Sequence, residues 1–232
     1  KFHGYEMYQY APNLKVKLQH MMLRPFVKMI NQKADFVFSY GGNITKIINN
    51  LGVPKSKVIE ISSAISVCWL NKKKILANES IKYLFVGRYE RRKGIQEINN
   101  TIICLSKQNI NCEFHFMGNI PINQRIKSDK IKVVYHGLIN KDVEKKKIYD
   151  NCDVLLCPSY SEGMPNVILE AMSRGLIIVA TNVGAISLLV SEKNGFLIND
   201  CNEILIEEVI KKINKMEKKL ILKKKYYSVK KI

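Results

Sequence analysis

Val154-Leu155-Leu156-Cys157, then Ser161-Glu162-Gly163-Met164-Pro165-Asn166-Val167-Ile168-Leu169-Glu170-Ala171-Met172-Ser173-Arg174-Gly175, then Leu176-Ile177-Ile178-Val179-Ala180, read as strand, loop plus helix, strand. The two short apolar runs lack polar alternation, as strands buried on both faces do. The same pattern recurs upstream at Tyr83–Val86, Glu113–Met117 and Lys132–Tyr135. Helical stripes lie between and after the runs: Ile95, Ile98, Ile102 and Leu105 share one face, and Ile204, Ile206, Val209, Ile210 and Ile213 another. Alternating β and α elements predict an α/β chain with a doubly wound parallel sheet, whose ligand lies at the carboxyl ends of the strands. Arg88, Leu138 and Glu162 each follow a predicted strand, on that edge.

The loop and helix after Cys157 carry the chemistry. Pro165 suits a first helical position, because its fixed φ fits and its missing N–H would be unbonded there. The next backbone N–H groups have no intrahelical partner and sit at the positive end of the helix dipole, which suits phosphate. Asn166 and Val167 would present these groups, and Gly163 and Met164 those of the loop just before the proline. Glu170, four residues after Asn166, shares its helix face, while Glu162 approaches from the loop. Two acceptor-only groups around a phosphate cradle suit a ligand with hydroxyls as well as phosphates, such as a nucleotide-sugar.

Composition sets outer bounds. The 232 residues are 47% hydrophobic and 25% charged, the profile of a folded globular protein. No apolar run approaches the roughly 18 residues that span a bilayer, no signal-peptide pattern is legible, and the opening Lys1-Phe2-His3-Gly4 suggests a fragment. The net charge of +18 comes from lysines scattered along most of a Lys-, Ile- and Asn-rich chain. It fits a solvated surface, or peripheral attraction to an anionic membrane leaflet. Arginine is sparse and no nucleic-acid-binding motif is legible, so no nucleic-acid partner is expected. Cys68, Cys104, Cys112, Cys152, Cys157 and Cys201 form no C-x-x-C pair and read as free thiols of a reducing compartment. The expected location is cytoplasmic.

Glu162 and Glu170 resemble the E-x7-E motif of retaining GT-B glycosyltransferases, most closely glycosyltransferase family 4 (group 1). Tyr83-Leu84-Phe85-Val86-Gly87-Arg88 with Lys93-Gly94 resembles the family's strand, "GR" and "KG"; Ile177–Gly184 and Asn194–Ile198 resemble two downstream segments. The resemblance implies two Rossmann-like domains with the active site between them. Residues 71–220 correspond to the nucleotide-sugar donor domain, residues 1–70 to the last part of an incomplete acceptor-side domain, and 221–232 to a basic tail. Lys72-Lys73-Lys74 falls at the junction. Asp35 and Ser39 fit the acceptor-side pattern, whereas Ser62–Ser66 and Met117-Gly118-Asn119 depart from the family's segments at those places.

By that resemblance, Arg88 and Lys93 hold the donor diphosphate. Glu162 bonds the transferred sugar, Glu170 the ribose hydroxyls, and Leu138 and Ile139 line the base pocket. His3 lines the cleft near the reacting sugar. The donor would be UDP- or GDP-linked and the acceptor a saccharide or lipid-linked saccharide, with no cofactor and no metal. In this reading Glu162 is not the nucleophile of a paired-carboxylate glycosidase. The other histidines, His20, His115 and His136, show no partner pattern. In the first seventy residues, Phe36–Phe38 and Val58–Ile61 read as strands, Ile44–Leu51 as a helix, and Val16–Ile30 as a helix interrupted at Pro25. Arg174, at i+4, is the surface partner that Glu170 would take if it had no ligand role.

Overall fold

The computed structural model describes residues 5–71, 75–108 and 110–232. The N-terminal part holds α1 (Leu14–Lys33), β1 (Val37–Ser39), α2 (Asn43–Asn50) and β2 (Val58–Glu60). The rest runs β3 (Ile81–Val86), α3 (Ile95–Ser106), β4 (Cys112–Met117), β5 (Lys132–Gly137), α4 (Asp142–Asp150), β6 (Val154–Cys157) and α5 (Asn166–Ser173). It continues through β7 (Ile177–Thr181), α6 (Ile186–Leu189), β8 (Gly195–Ile198), α7 (Glu203–Asn214) and α8 (Lys218–Lys231).

Strands β3 to β8 form one six-stranded parallel sheet in the order β5-β4-β3-β6-β7-β8. Period-two alternation sorts its side chains onto two faces. Tyr83, Phe85, Phe114 and Phe116 join a core with Ile98, Ile102, Ile206 and Ile210 of α3 and α7. Leu84, Leu155 and Ile178 join a core on the other face with Ile168 and Met172 of α5. Both faces are thus covered, which explains the near-continuous apolar runs. The strand order reverses between β3 and β6, so the chains leaving them turn to helices on opposite faces, which marks a crevice outside their carboxyl ends. The doubly wound expectation is met, and β8 extends the sheet beyond the strands read from periodicity.

The N-terminal part is slighter. Strands β1 and β2, three residues each, pair in parallel over a core of Tyr5, Val27, Val37, Ile44, Ile48, Leu51 and Val53. Two expectations need correction. Pro25 does not interrupt α1, which runs through it for 20 residues. A proline removes one helical hydrogen bond, but the opposite face is pinned by buried Val27 and by Asn31, whose Oδ1 accepts from Tyr5 Oη at 2.6 Å.

Residues 221–232, a basic tail by sequence, are helical through Lys231 and packed against the sheet domain. They belong to α8, which buries Ile221, Ser228, Lys224 and Lys225. Lys225 Nζ reaches Asp153 Oδ1 at 2.8 Å, and Ser228 Oγ donates to the Leu176 carbonyl at 2.6 Å. Lysine's long apolar stem permits this burial while its ammonium finds an acceptor. Among the described residues no helix is long and apolar enough to cross a membrane.

Candidate functional site

The β3–α3 and β6–α5 turns emerge on either side of the crevice. Gly94 has φ +70°, and a Cβ there would lie 2.2 Å from the Pro158 carbonyl oxygen. Only glycine permits this approach, and it sets the neighbouring Lys93 against the β6 loop. Lys93 Nζ lies 2.7 Å from Glu162 Oε1, which also accepts from Ser159 Oγ at 2.7 Å. Arg92 stands 3.7 Å from the other oxygen and donates to the Ser161 carbonyl at 3.1 Å. Glu162 is buried, and burying a carboxylate without such partners is costly.

A second clamp comes from the N-terminal part. Gln9 Nε2 donates to the Glu162 carbonyl at 2.7 Å, and Gln9 Oε1 accepts from Glu162 N at 3.2 Å. From the other side, Gly184 (φ +57°) would place a Cβ 2.3 Å from the carbonyl oxygens of Glu162 and Gly163. The Ala185 N–H donates to Gly163 O at 2.8 Å, and Ser63 N–H donates to Met164 Sδ at 3.3 Å. The glutamate's loop is therefore held from three directions.

Pro165 is the N-cap of α5, with extended ψ of 119°, rather than its first helical residue; Asn166 opens the helix. The proline still marks the boundary, because its ring suits an extended residue just before the first turn. Among the described backbone hydrogen bonds at this entry, Ile168 N–H turns back to Pro165 O, while the N–H groups of Gly163, Met164, Asn166 and Val167 donate to no carbonyl. These four donors lie between Glu162 and Glu170.

Glu170 sits half-buried on α5. Its Oε2 accepts from Tyr149 Oη at 2.6 Å. Burial pushes its carboxyl above the usual range, and Tyr149's donation only partly opposes this. Burial also drives the Tyr149 phenol well above its usual value, so it remains a donor. Arg174 does not pair with Glu170. It forks onto Asp150 at 2.7 and 2.6 Å and donates to the Trp69 carbonyl.

The remaining predicted residues are more dispersed. Arg88 is 76% exposed and pairs with Glu90 at 2.9 Å rather than joining the Lys93–Glu162 cluster. Leu138 is exposed beyond β5, whereas Ile139 is half-buried against the α5-side core. His3 lies outside the described residues. His115 and His136, which show no partner pattern in the sequence, are partners of each other: Nδ1 and Nε2 are 3.0 Å apart and the rings stack at 5.2 Å. Their strands β4 and β5 are neighbours, a pairing that sequence spacing does not reveal. Sequence reasoning also missed Gln9, Tyr149 and Ser159. Ser159 carried a usable signal, its place between the β6 strand and Glu162; the others join the site only through long-range folding. Among the described residues no group of three or more His, Cys, Asp or Glu is arranged to hold a metal ion.

A family model described as "Glycosyl transferases group 1" matches residues 80–215, more than half of the chain. The "Capsular polysaccharide biosynthesis glycosyltransferase CapH" of Staphylococcus aureus is 27% identical over 223 residues, covering 91% of this chain and 58% of CapH. The structure of S. aureus TarM, in complex with UDP among other molecules, superposes with a TM-score of 0.72 at 17% identity, covering 90% of this chain and 42% of TarM. Anabaena HepE in complex with UDP-glucose gives 0.69 at 15% identity, covering 90% and 62%. These superpositions establish the fold as that of GT-B glycosyltransferase structures. The chain spans about half the length of the curated relatives it matches.

Proposed function

We propose a function from one premise: the chain belongs to the group 1 glycosyltransferases. It acts as the donor-binding half of a retaining, family 4 hexosyltransferase, moving a sugar from a UDP- or GDP-linked donor to a saccharide or lipid-linked acceptor. The setting is surface polysaccharide assembly, as for the S. aureus capsular polysaccharide glycosyltransferase CapH. UDP and UDP-glucose in the HepE structures favour a uridine donor for a protein of this fold.

The observation that carries the reading is the spacing of two unlike carboxylates around four free N–H donors at the sheet's reversal point. The N–H groups and the Lys93 ammonium receive the diphosphate, whose charge grows as the glycosidic bond breaks. Fixed donors aimed at developing charge give the largest single catalytic effect, and losing one costs about 10²–10³ in rate. Glu170, with Oε2 held by Tyr149, offers its other oxygen to a ribose hydroxyl. Glu162 is committed to Lys93 and Ser159, which suits it to orient a sugar hydroxyl and not to attack carbon. Retention then proceeds by attack of the acceptor on the face that the diphosphate leaves, with the leaving phosphate taking the acceptor's proton. No metal is required in this reading. Arg88, exposed at the crevice mouth, closes onto the phosphates when the donor binds. Scattered positive charge draws the protein to an anionic membrane surface where lipid-linked acceptors reside.

Calorimetric titration with UDP, GDP and ADP tests the reading. One nucleotide is expected to saturate, and Glu170→Ala to weaken it. Absence of binding by folded protein would refute the donor site. A second reading, a nucleotide-sugar-binding module without turnover, is favoured by Arg88 pairing with Glu90 apart from the Lys93–Glu162 cluster. Nucleotide binding without sugar transfer, in a protein that includes a complete acceptor side, would select it. In that same protein Arg88→Ala is expected to abolish turnover with the fold intact, and near-normal activity would remove Arg88 from the machinery.

A further inference from the structure

Helices α7 and α8 each carry adjacent lysines with opposite fates. Lys211 pairs with Glu207 at 2.6 Å and Lys225 with Asp153 at 2.8 Å. Their neighbours Lys212 and Lys224 form no ion pair among the described residues. These two instead converge on one aromatic ring: Lys224 Nζ lies 4.7 Å and Lys212 Nζ 5.4 Å from the Phe196 centroid. Phe196 belongs to β8, the edge strand, and a groove of about 740 Å³ runs along it between α7 and α8. Leu197, Met216 and Leu220 give the groove an apolar floor beside the two ammonium groups.

Lys224 is the telling member. It is only 7% exposed, and its recorded hydrogen bond goes to the Glu192 carbonyl. An ammonium has three donors, and burying one without an anion is costly. Burial, and after it the charge of Lys212, pull the Lys224 ammonium below its usual range; the Glu192 carboxylate opposes this without forming an ion pair. Two cations that repel each other over one ring, beside an apolar floor, form the complement of an anion attached to a carbon skeleton.

We propose that this β8-edge groove is a second binding site, for a phosphate group carried on an organic residue, with the phosphate between Lys212 and Lys224 and the organic part on Phe196. The groove lies two strands from β6, so it is separate from the donor crevice and does not depend on the donor assignment. A free sugar phosphate and a phospholipid headgroup share this chemistry.

The test follows the backbone amide signals of Gly195–Leu197 in the full chain during titration with inorganic phosphate and with hexose 6-phosphate. Sedimentation with phosphatidylglycerol vesicles, against phosphatidylcholine vesicles, runs in parallel. Hexose 6-phosphate is expected to saturate these shifts more tightly than inorganic phosphate if the ligand is free; selective binding to phosphatidylglycerol identifies a headgroup. Lys212 is exposed, so Lys212→Gln is expected to fold normally and to weaken the response by about tenfold or more, the loss of one charge-assisted hydrogen bond. Glu170→Ala is expected to leave it unchanged. No response to either probe, or an undiminished response in Lys212→Gln, overturns the proposal.

Discussion

The sheet domain and the N-terminal part obey the same patterning rules and reach different degrees of completeness. The sheet domain covers both faces of six strands with helices and locks α8 on with a fully buried ion pair. The N-terminal part has two short strands and a small core, and leaves Phe26 of α1 and Phe36 and Phe38 around β1 about 60% exposed. Apolar residues on α1 and β1 are patterned for burial on a second side that these residues alone do not supply. Hydrophobic stabilisation scales with apolar area removed from water, so the sheet domain is the stable unit. The N-terminal part is held to it largely by polar contacts at the crevice, such as Gln9 to Glu162 and Asn43 N–H to Gly184 O.

That contrast can be broken experimentally, beginning where the effect is largest. Asp153→Ala leaves Lys225 buried without its partner and removes an acceptor for the N–H groups of Asn78 and Lys82. It should cost about 3–5 kcal/mol in urea unfolding of the sheet domain. Adding Lys225→Met should restore much of that loss, and failure to do so would mean that the backbone contacts, not the charge, dominate. Ile48→Ala, at a fully buried position of the N-terminal core, should cost about 2–5 kcal/mol. Hydrogen exchange should show the loss in residues 5–71, with the sheet strands still protected; uniform loss would mean that the two parts unfold as one.

The smallest effect sharpens the comparison at the site. Burial raises the Glu170 carboxyl pKa above its usual 4.5. The folded protein therefore holds that proton more tightly than the unfolded chain does, and stability falls as pH rises between 4.5 and the folded value. Glu170→Gln abolishes this titration and can still accept from Tyr149. Its melting temperature should exceed that of the parent at neutral pH, with the gap closing as the pH falls below the usual carboxylate range. A variant less stable at neutral pH would show that the carboxylate is better compensated than its burial implies. The histidine pair gives the opposite sign. Burial lowers both His115 and His136, so the stability they contribute is present at neutral pH and is lost as the pH drops through their depressed values.

Much of the architecture was legible because it rests on local regularities. Continuous apolar runs of four to six residues with helical stripes between them have few solutions other than a covered parallel sheet. Glu162, Glu170 and Pro165 are legible from a short, ordered spacing, and Lys93 from the resemblance of Lys93-Gly94 to a family segment. The misreadings share a cause. Pro25 looked like a break because propensity is local, whereas the helix is held by Tyr5 reaching Asn31. The C-terminal lysines read as a basic tail because charge counts ignore where a long side chain ends. The histidines looked unpaired because β4 and β5 adjacency is not written in their spacing.

The sequence by itself determined the α/β class and the edge of the sheet from which the loops bearing Arg88 and Glu162 emerge. These follow from periodicity and turn chemistry, which act over a few residues. Only the tertiary structure decided that Lys93 rather than Arg88 meets Glu162, that Tyr149 holds Glu170, that Gln9 clamps the loop from more than 150 residues away, and that Lys224 and Lys212 share one ring. Each of those pairings joins distant parts of the chain. It exists because packing two faces of one sheet fixes which side chains share a space, a constraint that no local pattern encodes.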